Sequence, residues 1–202
     1  MKVRHPPGRA GRPWLAHRLA VARRGAELLD EKFRALMHER SRLEPEVAQV
    51  REDWTRSARE AELWLTRAAL LGGERQLEAA AEVTAHAEVS VRWRMVLGVA
   101  CPAETSVAAA AGAPPGGSAA LLSAVEAHRR ALEAAVRVAA GEAALRRVDA
   151  ELLATRLRRN AIERNWIPAH EEALSALELT LEELEREDGT RLRRVTRAAR
   201  EW

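Results

Sequence analysis

A chain of 202 residues can form one or two domains, and 47% of its side chains are hydrophobic while 31% are charged. Aromatic residues make up only 3%, and the dominant residues are good helix formers, so composition argues against a β-rich protein and favours a mainly α fold. The formal net charge is a modest +3. The single cysteine, Cys101, excludes an intrachain disulfide and fits a reducing cytoplasm. No apolar run is long enough to cross a bilayer, so we expect no direct membrane insertion.

The first part of the chain predicts one long helix. Residues 1–13 contain three prolines and two glycines, which predicts a flexible basic tail. From Leu15 to Leu71, apolar residues recur at alternating steps of four and three, with two interruptions. This period predicts a left-handed coiled-coil helix over 14–71, roughly 85 Å long at about 1.5 Å per residue. Pro45 is expected to bend this helix without breaking it.

The middle of the chain, residues 72–140, departs from this period and predicts a small head. Gly72 and Gly73 form a plausible helix stop. A short helix is expected from Glu74 to Ala87. Alternating apolar residues from Val89 to Val99 then predict one strand or a short β-hairpin.

The second half of the head predicts a strand end and a loop. Cys101-Pro102 is expected to end the strand. The small, uncharged stretch from Ala108 to Gly117 predicts a loop or a disordered segment. Ser118 has the side chain of an N-cap for the next helix.

The last part of the chain predicts a second coiled-coil helix, over 141–202, that pairs antiparallel with the first. Between Trp166 and Leu174, beside Pro168, the heptad phase slips as it does at a coiled-coil stutter. Gly25 is interpreted as a residue that permits close helix approach. The predicted seam residues are Leu15, Leu19, Ala22, Gly25, Leu29, Phe33, Leu36, Trp54, Ile162, Trp166, Leu177, Leu181 and Leu184.

The tryptophans suggest a register for this pairing. Facing residues of an antiparallel pair have a nearly constant sum of residue numbers. Trp14 and Trp202 sum to 216, and Trp54 and Trp166 sum to 220. We therefore expect Trp54 to face Trp166, and Trp14 to lie by Trp202.

Basic residues concentrate at both ends of the chain. Residues 1–25 carry seven cations and no acid, and residues 190–202 carry five arginines against one glutamate. Antiparallel pairing would bring both clusters to the same end, which would attract an acidic protein surface, nucleic acid or anionic lipid.

The motifs of a catalytic or metal site are absent from the sequence. There is no GxxxxGK[ST] phosphate loop and no GxGxxG motif after a strand. The six histidines are scattered, without HExxH or Cys/His spacing. The carboxylates at 182–187 are interpreted as a solvated helix face. We therefore expect no active site, no metal, no cofactor and no direct nucleotide binding.

Several segments together resemble the D subunit of the V-type (A/V-type) ATPases. The stretch 18–32, RLAVARRGAELLDEK, is similar to that family's LxxARRGxxLLKxK start. Gly98-Val99 with Pro102 resembles its central MGVxxP element, and Thr155–Glu163, Ile167-Pro168 and Leu181–Glu187 resemble its TRRRVNALE, IP and LEExERE elements. These segments follow the family's order at suitable spacing. Arg159 departs from the pattern, which usually has valine there.

The resemblance implies a non-catalytic rotor axle, peripheral to the cell membrane on its cytoplasmic side. Its partners would be the catalytic A and B subunits, the small F subunit, and a funnel-shaped subunit that links to the membrane ring. The terminal helices would turn inside the A/B ring and couple ATP synthesis or hydrolysis to proton or sodium transport. The residues assigned to the ring contact are Arg12, Arg18, Arg23, Arg191, Arg194 and Arg197. Those assigned to the F subunit or the socket are Val91, Trp93, Met95 and Val99.

Two other functions are compatible with the same patterns. A basic coiled coil could bind nucleic acid through its arginine end, although few aromatic or amide side chains lie among the basic residues to support this. A structural dimer could satisfy its seams between two chains. Each assigned arginine could also be the solvated flank of a coiled coil.

Overall fold

In the computed structural model, residues 3–83, 86–108 and 118–199 are described. The elements, after a 3₁₀ turn at Gly8–Ala10, are α1 (Gly11–Gly72), α2 (Glu74–Val83), β1 (Glu88–Val96), β2 (Val99–Ala108), α3 (Ala119–Ala161), a π-helical turn (Ile162–Trp166) and α4 (Ile167–Ala198). Two long helices pack against each other, and the strands form a two-stranded antiparallel sheet. The predicted mainly α fold with a β-hairpin is therefore confirmed.

The chain divides into two compact units. The first consists of Met1–Arg34 with Leu153–Trp202, and the second of Ala35–Leu152. The first unit therefore holds the start of α1, the end of α3, the π-turn and α4. The second holds the rest of α1 and α3 together with α2 and the hairpin.

The helix ends follow local sequence signals. The backbone N–H of Gly73, which has a φ of +72°, donates to the Ala69 carbonyl at 2.9 Å, so the predicted glycine stop is confirmed. Ser118 is also confirmed as a cap, because its hydroxyl accepts a bond from the Leu121 N–H at 3.3 Å. α1 continues through Pro45 without interruption.

The second strand of the hairpin extends further than predicted. Strand β2 does not end at Cys101-Pro102 but continues to Ala108. The ladder pairs Arg92 with Glu104 and Trp93 with Pro102, so Ala103 is an extra, bulged residue. A proline lacks the N–H that a ladder needs, and a bulge is one of the few strand positions that tolerate it.

The short helix after Gly73 ends earlier than predicted. α2 ends at Val83 rather than Ala87, and the chain at 86–87 is not helical. The predicted loop after Ala108 lies, apart from that residue, outside the described residues. The hairpin turns tightly at Leu97-Gly98, where both residues have positive φ, at 51° and 83°.

Ion pairs between the helices set a register that contradicts the tryptophan prediction. In the first unit, Arg9–Glu185, Arg12–Glu178, Arg23–Glu171 and Asp30–Arg159 have residue numbers that sum to between 189 and 194. In the second unit, Arg40–Asp149, Arg51–Glu142 and Glu60–Arg130 fall in the same range. Trp166 therefore lies opposite the region of Ala26 and not opposite Trp54. Trp202 lies outside the described residues.

A π-helical turn at Ile162–Trp166 ends at the residue where the predicted phase slip, between Trp166 and Leu174, begins. A π-turn carries one residue more than an α-turn and so absorbs a change of heptad phase without ending the helix. The next buried residue is His170, whose ring stacks on the Trp166 indole with centroids 3.5 Å apart. Its Nδ1 donates to the Trp166 carbonyl at 2.9 Å.

The cores of the two units are built from leucine, valine and alanine. Leu15, Leu19 and Leu177 are buried in the first unit, and Leu36 and Val148 in the second. Full burial of each such aliphatic side chain is worth about 1.5–3 kcal/mol. A separate cluster in the second unit consists of Ala68, Ala80, Ala120, Leu121 and Ala124, with Trp64, Leu77 and Val125 packed against it.

Candidate functional site

The three N-terminal arginines assigned to a ring contact have partners within the first unit. Arg12 binds Glu178 at 2.9 Å, and Arg23 binds Glu171 at 2.6 Å. The Arg18 guanidinium lies 4.8 Å from the Trp14 ring centroid and 5.8 Å from that of Trp166. All three side chains remain exposed to solvent. They hold α1 against the C-terminal helices and still present part of their charge at the surface.

The C-terminal arginines have a different setting. The last ion pair between the N-terminal residues and α4 in the described part of the chain is Arg9–Glu185. Beyond it, the ion pair of Arg191 is with Glu187 of its own helix, at 3.8 Å. Arg194 and Arg197 are exposed and make no ion pair with another described residue.

Apolar side chains accompany these arginines. Leu192 and Val195 are exposed over 69% and 66% of their surface. Arginine beside exposed aliphatic residues is a composition typical of protein interfaces rather than of solvated helix faces. We call Arg191, Leu192, Arg194, Val195 and Arg197 the α4 end surface.

The predicted seam residues divide into three groups. Leu15, Leu19, Leu36 and Leu177 are buried. The half-buried residues are Ala22, Gly25, Leu29, Phe33, Ile162, Trp166 and Leu181. Trp54 and Leu184 differ from the prediction, because they are exposed over 38% and 49% of their surface.

These two exceptions have local causes. The register places Trp54 opposite the region of Ala134 and Val138 of α3, whose side chains are too small to cover a whole indole. Leu184 lies beside the last ion pair, where α4 is bordered by the 3₁₀ turn instead of α1.

The close helix approach predicted at Gly25 occurs instead at a glycine that the sequence pattern did not identify. A Cβ atom built on Gly25 would meet no atom within 4 Å, so the prediction for Gly25 is wrong. A Cβ on Gly141 of α3 would lie 2.9 Å from Val47 Cγ2 on α1. Gly141 could have been identified only with knowledge of the register, which places it opposite Val47.

The hairpin presents an apolar face to solvent. Val89, Val91, Trp93 and Met95 alternate along β1 and are exposed over 38–68% of their surface. We call these four residues the β1 apolar face. Val99, predicted to belong with them, is buried instead. It pairs with Val96, so its side chain lies on the opposite face of the hairpin from Met95.

Arginines attach the hairpin to the helices of the second unit. Arg94 on β1 donates to Glu39 of α1 at 3.3 Å, and Arg147 of α3 lies 4.8 Å from the Trp93 ring centroid and donates to the Ala100 carbonyl at 3.3 Å. The hydrogen bond from Arg42, supported by the charge of Arg94, holds the pKa of Glu39 below its usual value. The β1 apolar face is thus mounted on a well-anchored hairpin.

Other chemistry in the described residues is limited. A groove of about 620 Å³ runs between β2 and the helices, and its charged lining is mixed: Arg42, Glu46, Arg94, Glu104 and Arg137. Burial raises the pKa of the Cys101 thiol, which keeps it protonated and unreactive. No group of three or more potential metal ligands occurs among the described side chains. Within 3–83, 86–108 and 118–199, no helix has the length and apolarity that a bilayer span requires.

Two long antiparallel helices and an anchored hairpin define a mainly α-helical protein, with exposed apolar side chains on the hairpin and near the end of α4. The comparison with known proteins is specific. A family model for the D subunit of ATP synthase matches residues 14–197. The chain therefore belongs to the ATP synthase D-subunit family, whose members are non-catalytic subunits of rotary ATPases.

Individual relatives agree with this assignment. The D subunit of the A-type ATP synthase of Thermococcus kodakarensis is 33% identical over 188 residues, which cover 90% of this chain and 88% of the relative. The D subunit of the V-type ATP synthase of Anaeromyxobacter sp. strain Fw109-5 is 36% identical over 200 residues, covering 95% of this chain and 93% of the relative. The similarity therefore extends across both units and the hairpin.

Proposed function

We propose that this chain is the central-stalk rotor of a rotary ATP synthase and transmits torque between a catalytic ring of A and B subunits and a membrane rotor. The observation that carries the proposal, beside family membership, is the α4 end surface. There α4 continues past its last ion pair with the N-terminal residues and combines arginines with exposed aliphatic side chains. A helix end of this composition is suited to contacts with the carbonyl and carboxylate groups that line a protein ring.

The paired helices suit torque transmission because twisting them strains many interlocked contacts together. The seam residues pack closely, and ion pairs such as Arg12–Glu178 and Arg23–Glu171 cross between the helices of the first unit. The two helices of the pair differ in sequence, so the pair presents different side chains on its different sides. Turning such a pair inside a ring would favour a different state at each catalytic interface, since each state differs in affinity for the face that it meets.

The β1 apolar face is proposed as the contact for the small F subunit or for the funnel-shaped socket. Val91, Trp93 and Met95 expose their apolar surface on a hairpin anchored by Arg94 and Arg147. A rigid mount lowers the entropy cost of binding at such a surface. In this proposal the chain lies at the cytoplasmic side of the cell membrane, within a complex that couples ATP synthesis or hydrolysis to proton or sodium transport.

Co-purification tests the ring contact. Tagged chain co-expressed with A and B subunits should retain the ring, and the triple charge reversal Arg191→Glu, Arg194→Glu and Arg197→Glu should weaken ring binding on the order of 100-fold or more, because it puts acids where the ring meets arginines. The matched control makes the same charge change at exposed arginines of the second unit, Arg59, Arg75 and Arg137.

The control should keep full ring binding. Equal retention of the ring by both triple variants would exclude the α4 end surface as the contact. If the chain itself retained no ring, and instead bound DNA in a steeply salt-dependent manner, the rotor proposal would be replaced by the nucleic-acid alternative.

A further inference from the structure

The apolar seam of the helix pair in the first unit is compatible with more than one axial register. A seam with a 3.5-residue period does not specify one register, because a slide of seven residues places apolar residues opposite apolar residues again. Leu15, Ala22 and Leu29 stand seven residues apart and illustrate this equivalence. Some other interaction has to distinguish the native register from its neighbours.

Arg159 makes the one cross-helix ion pair of the described first unit in which both side chains are mostly shielded from solvent. The side chains of Arg159 and Asp30 are exposed over only 23% and 29% of their surface, and Nη1 donates to Oδ1 at 2.7 Å. The guanidinium carbon also lies 5.3 Å from the Phe33 ring centroid, and Nε is 3.6 Å from a carboxylate oxygen of Glu163. The Asp30 carboxylate also forms an ion pair with Arg34 of its own helix.

The registers reached by a slide of seven residues in either direction would bring side chains of like charge together. A seven-residue slide in one direction moves Asp30 away and brings Arg23 to the position opposite Arg159. A slide in the other direction replaces Arg23 by Asp30 opposite Glu171. Each direction therefore places like charges together, while the native register pairs opposite charges at both positions. A mostly shielded charge has the larger effect, since solvent screens it less.

We infer that the Arg159–Asp30 pair specifies the register in which α1 pairs with the helices around the π-turn. The pair stands three residues before that turn, which begins at Ile162. A π-turn can in principle move along a helix by redistributing its hydrogen bonds, and Arg159 fixes the helix on its N-terminal side while the His170–Trp166 stack holds its C-terminal side. Arg159 is thus a positioning residue for the seam.

Spin labels on the isolated full-length chain test the register directly. Cysteines introduced at the exposed positions Ala16 and Leu157, in a Cys101→Ala background, would carry labels offset by roughly 30 Å along the helix axis. A slide of seven residues changes this separation by about 10 Å. The unmodified pair should give one distance in a pulsed electron-spin resonance measurement. Asp30→Asn and Arg159→Met should each add a second population displaced by about 10 Å.

Matched variants make the measurement decisive. Arg9→Met removes the exposed Arg9–Glu185 pair and should leave a single, unshifted distance. An unshifted single distance in both Asp30→Asn and Arg159→Met would overturn the inference. A shifted population in Arg9→Met as well would also overturn it, because register would then depend on the ion pairs in general.

Chemical denaturation gives a second readout that does not need a register shift. Each single variant should lower the folding equilibrium constant about tenfold, and the double variant by little more than either single change, because the partner left behind is already unpaired. Strictly multiplicative effects would show that the two side chains act independently and would contradict the inference. Neither measurement uses another protein of the complex, so the outcome is separate from that of the rotor proposal.

Discussion

Two glycines in the long helices should respond to alanine in opposite directions, although the sequence alone treats them alike. Gly25 of α1 and Gly141 of α3 both lie inside helices, where glycine costs about 1 kcal/mol relative to alanine. The structure distinguishes them by their surroundings. A Cβ on Gly25 meets nothing within 4 Å, whereas one on Gly141 would lie 2.9 Å from Val47 Cγ2.

The magnitudes follow from these contacts. Gly25→Ala should stabilise the chain by about 1 kcal/mol through helix propensity alone. At Gly141 the same gain is offset by overpacking, which costs about 1–3 kcal/mol, since Val47 is buried and its branched side chain has little rotamer freedom. Gly141→Ala should therefore destabilise by about 1 kcal/mol net.

Thermal unfolding followed by circular dichroism would resolve both changes. For a chain of this size, 1 kcal/mol shifts Tm by about 2–4 °C, upward for Gly25→Ala and downward for Gly141→Ala. Adding Val47→Ala to Gly141→Ala should reverse the penalty of the added methyl group, so the two changes together should be less harmful than Val47→Ala and Gly141→Ala summed. A rise in Tm for Gly141→Ala equal to that of Gly25→Ala would refute the close approach of the helices at this point.

Three further changes test other parts of the molecule. Leu177→Asp buries a charge in the seam and should destabilise the chain by about 4 kcal/mol or more. The control Leu179→Asp, at an exposed position two residues away, should change stability by less than about 0.5 kcal/mol. Similar Tm values for both variants would contradict the assigned seam. Because Arg42 lowers the pKa of Glu39 in the folded chain, the Glu39 carboxylate stabilises the fold above about pH 4.5 and this contribution is lost as the pH falls through the folded-state pKa. Glu39→Gln should therefore reduce the fall in Tm between about pH 6 and about pH 3, and an unchanged pH profile would exclude this role. Deletion of the exposed Asn165 should convert the π-turn to regular α-helix and keep most of the circular dichroism signal at 222 nm. Loss of helix beyond this point would show that the turn is not a one-residue insertion.

The long helices were predictable because a 3.5-residue period is a property of the sequence itself. Leu15, Leu19, Leu36 and Leu177 belong to that pattern and are buried. The glycine stop at Gly73 and the serine cap at 118 were also accessible, since each depends on interactions within a few residues.

The register was not predictable from the tryptophans. Any antiparallel register gives a constant sum of residue numbers, so the positions of the tryptophans alone do not determine which residues face each other. Arg18 lies near both Trp14 and Trp166, so Trp166 belongs to the region of Trp14 and not to that of Trp54. Once Arg12–Glu178 and Asp30–Arg159 are known, the register follows at once.

The roles of individual arginines were also beyond the sequence. Arg12 and Arg23 belong to the same basic cluster as the C-terminal arginines by composition, yet their nearest acids are on α4. Arg194 and Arg197 have no such acid opposite them in the described residues, because α4 extends past its last ion pair with the N-terminal residues. This difference depends on where along α4 the ion pairs with the N-terminal residues stop, and composition contains no information on that position.

Rotation is the most direct test of the proposed function. A bead can be attached to a cysteine at the exposed Glu78 of α2, which lies outside both proposed contact surfaces, in a complex whose A/B ring is fixed to a surface. The bead should turn continuously in one direction when ATP is added and stop when ATP is removed. The account predicts this rotation and predicts its loss in the triple charge reversal of the α4 end surface. A ring that hydrolyses ATP with this chain bound, while the bead remains stationary, would contradict torque transmission by the chain.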